Sequence, residues 1–368
     1  MLHFCTLFDA NYLARGLVTY ESLMSTTKWG AHLYVFAFDD TCYNVLTPMR
    51  LPNLTVISLA EFEDEQLLAI KSTRSRGEYC WTCTSSTILY CIEKFNLPHC
   101  TYIDADMYFY QNPQILIAEK PVDCSVIITE HRYTPAYDKS KLSGKYCVQF
   151  MYFDNTEGGL KVLNWWRDRC LEWCFNRFED GKFGDQKYLD DWTTRFKNIH
   201  VLRHLGGGLA PWNVQQYQFF NTKEGLLNVL NTHDADVRED VAQSPKGIYG
   251  IIKDSFSNLY ANTFWQNKSR LAYFPAVFFH FHGVKLYENG GAVYAPKMYI
   301  LSRPVRSIFY EPYLQKIKAA QEKLISFDPN FDKIGYLSSK QFHEDRRKGW
   351  WGFVKTNVLN RFLKTSLN

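Results

Sequence analysis

Through its first half the chain alternates short β-rich apolar runs with stretches in which apolar residues recur at helical spacing. The runs are HFCTLF at 3–8, HLYVFAF at 32–38, LTVISL at 54–59, CTYID at 100–104, CSVIIT at 124–129 and CVQFMYF at 147–153. Bounded by polar and turn-forming residues, they read as strands. Between them ARGLVTYESLM, a segment near 79–95 and GGLKVLNWWRDRCLEWCF carry the periodicity of helices. Strands separated by helices predict an α/β fold whose mixed, mainly parallel sheet is flanked by helices on both faces. The second half is less regular, with GGGLAPWN at 206–213 and FPAVFFHFHG at 274–283, and it carries no internal repeat or Pro/Ser linker. A polar helical segment begins near residue 300. The expected division is a main domain over 1–300 and a helical C-terminal extension over 301–368.

Composition sharpens this little: 46% hydrophobic and 22% charged residues are ordinary for a chain that buries a core. Aromatic content, 17% with 10 Trp and 24 Tyr, is high, and flat apolar rings suit the CH faces of sugars. The net charge of +4 is localised. Residues 342–368 hold six Lys or Arg against two acids, leaving the remainder balanced. Without a basic stripe, nucleic acid is not an expected partner. Ten Cys, an opening MLHFCTLF that reads directly as a strand, and no apolar run of membrane-spanning length lead to the expectation of a reduced, cytoplasmic protein. CWTC at 80–83 has no second pair of matching spacing and reads as small core residues.

The chemistry is concentrated in TYIDADMYFY, where Asp104 and Asp106 close an apolar strand. In open α/β sheets ligands bind beyond the carboxyl ends of strands. Two carboxylates around a bend there can face one hard divalent cation, Mg²⁺ or Mn²⁺, which would neutralise a diphosphate. A second pair, Asp234 and Asp236 in HDADVRED, lacks a β-rich lead-in and reads as a solvated charged loop.

Four stretches in order, TLFDANYLARGLVTYESL, YIDADMYFY, FGDQKYLDDW and FFHFHGVK, resemble GT-A fold glycosyltransferases of the family-8 type, over about residues 3 to 285. The resemblance implies a Rossmann-like GT-A domain that uses a UDP-sugar and Mn²⁺ (or Mg²⁺). It implies contacts from Asp9, Asn11 and Tyr12 to the base and ribose, although Asp9 or Asn11 also suits a helix cap. It implies His280 as the metal's third protein ligand, with His282 as the alternative because strand alternation puts both on one face. Gly283 and Lys285 would meet phosphate, Lys285 standing one position earlier than the family pattern. Asp185 and Gln186 would face the donor sugar as the catalytic pair, although Asp185 also suits a cap of the segment that follows. Trp212 in the glycine-rich stretch is a candidate to stack on a sugar. Where the family carries an Asn-Ala-Gly-like segment, this chain has YCVQFMYF, with Cys147 and Gln149, and WTCTSSTILY lacks the family's basic residue.

The implied activity is transfer of a hexose-type sugar to a glycan or lipid-linked glycan acceptor, with retention of configuration. A catalytically silent glycan- or nucleotide-binding protein on the same fold and a metal-dependent nucleotidyltransferase are the alternatives. In the tail, Trp351, Val354, Val358 and Phe362 fall at helical spacing among Lys355, Arg361 and Lys364. Such a basic amphipathic helix suits an anionic membrane surface, which adds a peripheral position on the cytoplasmic face to the expectations; a helix packed on the body or a subunit contact is the alternative.

Overall fold

The computed structural model describes residues 1–221, 227–231 and 273–345. The Asp234/Asp236 pair and the basic tail lie outside the described residues. The sheet that dominates the fold has the strand order β3-β2-β1-β4-β7-β6-β8. Its strands are β1 (Leu2–Phe8), β2 (Ala31–Ala37), β3 (Leu54–Ser58), β4 (His99–Ile103), β6 (Val126–Glu130), β7 (Tyr146–Asp154) and β8 (Ile199–Val201). Six run in one direction, and β7 is antiparallel to both β4 and β6. This is the mixed, mainly parallel arrangement expected from the sequence.

Local signals explain where the helices begin. Ser75 and Glu78 form a reciprocal capping box that starts the helix Arg76–Lys94. Asp39 caps Asp40–Met49 by accepting from the Cys42 amide, and Thr156 caps Glu157–Glu172. Side-chain alternation divides the strands between two cores. Phe4, Leu33, Ile103, Phe150 and Tyr152 pack toward the helices Leu13–Thr26 and Glu311–Phe327, whereas Cys5, Phe36, Tyr102, Met151 and Phe153 pack toward Arg76–Lys94 and Glu157–Glu172. Among the described residues beyond 300, the helix Glu311–Phe327 shares the first of these cores. Tyr313 stacks on Phe281 at 3.6 Å, and Ile317, Ala320 and Leu324 join the cluster that holds Leu13 and Leu17. All ten Cys are free; Cys83 is buried and Cys80 half-buried on one helix. No helix among the described residues is long and apolar enough to cross a membrane.

A second, three-stranded sheet positions the site. In it β13 (Phe278–His280) pairs antiparallel with β5 (Met107–Phe109) and parallel with β9 (Gly207–Leu209). The segment joining the two sheets is Asp104-Ala105-Asp106.

Candidate active site

At the carboxyl edge of β4 the Asp104 amide donates to the Gln149 carbonyl of β7 at 3.2 Å, and the chain bends into β5. The bend is held from below and beside. The Thr19 hydroxyl lies 2.8 and 2.7 Å from the Ala105 and Met107 carbonyls, and the Phe281 amide donates to the Asp106 carbonyl at 2.8 Å. Because His280 pairs with Met107 across β13 and β5, its ring falls beside the acids. Nε2 stands 3.1 Å from Asp106 Oδ1 and 3.5 Å from Asp104 Oδ2. The three ligand atoms of Asp104, Asp106 and His280 lie within 4.8 Å of one another. Two carboxylates and an imidazole are a donor set that fits Mn²⁺, with Mg²⁺ less suited to the nitrogen ligand.

The electrostatics follow from this crowding. Burial pushes Asp104 up, and the neighbouring Asp106 charge adds to the effect. Burial acts against the Asp106 carboxylate too, but the charge and hydrogen bond of His280 outweigh it and hold Asp106 below its usual range. His280 is itself raised well above the ordinary histidine value: burial opposes its charge, and Asp106, with help from Cys147 and Asp104, overcomes that. On its far side His280 Nδ1 is 2.8 Å from Gln149 Oε1.

Beside the acids opens a cavity of about 420 Å³ whose lining includes Asp104, Cys147, Asp185, Gln186, Trp212 and His280. Asp185 does not cap the turn Lys187–Asp191, whose N-cap position is Gln186, with no side-chain cap bond. The Asp185 carbonyl is fixed by the Trp166 indole N–H at 2.9 Å. Burial, and then the charge of Asp104, push the Asp185 carboxyl up to about 7. Trp212 is a wall rather than a free platform. Its N–H donates to the His131 carbonyl at 2.9 Å and its ring meets the His280 ring edge-on at 5.5 Å. The glycines before it serve the fold, since a Cβ on Gly206 would stand 1.8 Å from the Pro275 carbonyl oxygen.

The other sequence candidates are placed as follows. Asp9 caps the turn Ala10–Tyr12, accepting from the Asn11 amide at 2.9 Å, and pairs with Arg76 at 3.0 Å. Tyr12 is 40% exposed, with Arg15 over its ring at 4.6 Å. Partial burial and then the Asp106 charge raise its hydroxyl to about 12, which puts the ring within reach of the acids' field. His282 lines the cavity but is not among the three converging ligands. Gly283 adopts φ +75° with Pro296 packed where a Cβ would be, so only glycine fits this turn. Lys285 does not line the cavity. Val284 and Leu286 point inward on β14 (Lys285–Leu286) and its approach, so alternation turns Lys285 outward, where its ammonium pairs with Asp345 at 3.0 Å.

Two roles escaped the sequence reading. Gln149 is fully buried in an otherwise apolar strand, and a buried amide demands a partner; that demand was the available signal. Arg76, on the first turn of its helix, ties Asp9 to Asp39.

No family model matches the chain. Among solved structures it is similar to the galactosyltransferase LgtC in complex with donor and acceptor sugar analogs, at 9% identity and a TM-score of 0.47 over 86% of this chain and 96% of that one. It is also similar to mouse xyloside xylosyltransferase 1 in its apo form, at 14% identity and a TM-score of 0.38 over 55% of this chain and 84% of that one. Two uncharacterized proteins of Bacillus subtilis (strain 168) resemble it in sequence. YfnD is 29% identical over 237 residues, 62% of this chain and 74% of YfnD. YfnF is 32% identical over 233 residues, 61% of this chain and 76% of YfnF, and the chain belongs to the same family as YfnF.

Proposed function

We propose that this chain is a metal-dependent glycosyltransferase that moves a hexose-type sugar from a UDP-sugar to a glycan or lipid-linked glycan, with retention at the anomeric carbon. The observation that carries the reading is the convergence of Asp104, Asp106 and His280 beside a cavity that Asp185 and Gln186 also line. Asp104, Asp106 and His280 would hold Mn²⁺ (or Mg²⁺), which when bound supplies Lewis-acid neutralisation of the diphosphate. Asp9, Asn11 and Tyr12 face the base and ribose, and the Gly283 turn admits the phosphates. Asp185 orients the sugar hydroxyls, and Gln186 sits beside the anomeric carbon. In the transfer the bond from that carbon to the phosphate oxygen breaks and a bond to the acceptor oxygen forms on the same face. The acceptor's proton passes to the departing phosphate.

The test is UDP release from a panel of UDP-sugars, with and without Mn²⁺, for the wild type and Asp104→Asn/Asp106→Asn. Release from one donor that needs Mn²⁺ and vanishes in the variant supports the reading. Consumption of a nucleoside triphosphate with release of pyrophosphate would replace it with nucleotidyl transfer. Neither turnover nor Mn²⁺-dependent nucleotide binding would leave no support for a transferase. The basic tail would bring a lipid-linked acceptor to the site at an anionic surface on the cytoplasmic face. Loss of co-sedimentation with phosphatidylglycerol vesicles on removing residues 346–368 is the matching check.

A further inference from the structure

The donor site just proposed has a charge problem. Asp104 and Asp185 both line the cavity, and a nucleoside diphosphate would bring further negative charge against them. One divalent ion does not balance that, and Lys285 is turned outward onto Asp345. Arg15 is near but committed, donating to the Asn11 and Val284 carbonyls at 3.0 and 3.1 Å. Among the residues lining the cavity, Lys139 is the single Lys or Arg.

Lys139 stands at the start of the short helix Ser140–Ser143, between β6 and β7, and is partly buried. Its backbone is anchored at several points. The Lys139 carbonyl accepts from the Leu142 and Ser143 amides at 2.9 and 2.8 Å. Asp138 accepts from the Ser140 amide at 2.8 Å, and the Lys187 ammonium donates to the Ser140 carbonyl at 2.9 Å. Lys187 is held in turn by Asp190 at 2.6 Å, and the same Asp190 accepts from the Lys145 amide at 2.7 Å. Tyr133 and Ser143 join their hydroxyls at 3.2 Å across the loop. Every one of these bonds uses a neighbour of Lys139 or its main chain. Among the described residues no ion pair engages its own ammonium. His282, next to the Gly283 turn, lines the same cavity as Lys139.

We propose that Lys139, on the loop between β6 and β7, supplies the cation that binds the donor's diphosphate in place of Lys285; this rests on the glycosyl-transfer reading above. The loop places Lys139 on the wall of the cavity that Asp104 and His280 also line, with no ion-pair partner among the described residues. A charge-assisted bond to a phosphate oxygen is the strongest contact such a group can make.

The experiment is calorimetric titration of the full chain with UDP, ADP, CDP, GDP and dTDP in the presence of Mn²⁺. It is followed by Lys139→Gln, Lys139→Arg and Lys285→Gln with the tightest of the five. Mn²⁺ alone is titrated into each variant by electron paramagnetic resonance. The expected result is a loss of about 10-fold to 100-fold in diphosphate affinity for Lys139→Gln, with most of it restored in Lys139→Arg, and less than about 3-fold for Lys285→Gln. Affinity for Mn²⁺ alone should be unchanged or tighter in Lys139→Gln, because a positive charge near the acids has been removed. Unchanged diphosphate affinity in Lys139→Gln overturns the proposal, as does a larger loss in Lys285→Gln. Weakened binding of Mn²⁺ alone reassigns Lys139 to shaping the site and also overturns it. A wild type that binds none of the five with Mn²⁺ removes the glycosyl-transfer reading itself, and the Lys139 role with it.

Discussion

The amide oxygen of Gln149 lies 2.8 Å from Nδ1 of His280. An amide oxygen only accepts, so Nδ1 carries the hydrogen and Nε2 faces Asp104 and Asp106. Gln149 thus fixes which ring nitrogen meets a cation and how the ring is turned. Replacing it with Leu should cost Mn²⁺ affinity about 10-fold to 100-fold while the melting temperature falls only slightly. Glu at the same position keeps an acceptor and should retain more affinity than Leu. Free Mn²⁺ measured by electron paramagnetic resonance, alongside thermal melts, checks both.

Trp166 links the core to the cavity. It is fully buried, stacks at 6.2 Å on Phe153 of β7, and donates to the Asp185 carbonyl. Trp166→Phe keeps most of the packing and loses the hydrogen bond, so it should cost about 1–2 kcal/mol. Turnover should fall while Mn²⁺ affinity stays constant, because Asp185 moves and the three ligands do not. Urea titration and steady-state kinetics separate the two effects.

Two glycines should respond with opposite sign to alanine. At Gly206 the added carbon would collide with the Pro275 backbone, and the pairing of β9 with β13 would open, costing about 3 kcal/mol or more. At Gly77, on the helix Arg76–Lys94, nothing lies within 4 Å of the new carbon. There alanine should add up to about 1 kcal/mol through helix propensity. Denaturant midpoints of the two variants give the comparison.

Mild acid should destabilise the fold through buried histidines, at a pH above the ordinary carboxylate range. Burial drives His131 down to about 3 and His204 down to about 4. Their folded values lie below the unfolded one, so the unfolded chain takes up protons that the fold excludes. Stability from these groups is present above the unfolded value of about 6.5 and is lost as pH falls toward 4. By about pH 5 each contributes a loss of up to about 2 kcal/mol. His204→Gln should flatten part of that slope in melts taken across the range.

The sheet was legible because its strands are apolar on both faces and their boundaries carry recognisable caps, as at Asp39 and Ser75. Asp104 and Asp106 were legible because a strand end and a carboxylate pair coincide. What the linear pattern could not supply was direction. Lys285 sits two residues past Gly283 in the sequence, yet alternation sends it to the outer surface. Lys139 lines the cavity on a loop whose Ser140 and Ser143 are bonded to Lys187 and Tyr133, partners that no local pattern encodes. A run of glycines at 206–208 permits a close backbone approach, and at Gly206 what approaches is the Pro275 backbone.

The helix Glu311–Phe327 completes the core that Leu13 and Leu17 begin, and His280 completes the cluster that Asp104 and Asp106 begin. Partners this far apart along the chain cannot meet while the polypeptide is only half synthesised. A nascent chain would carry its acids and its first helix with apolar flanks uncovered until the last third emerges from the ribosome. Maturation of the site should therefore be a late, single event, and premature termination anywhere before residue 327 should yield aggregates rather than a smaller working enzyme.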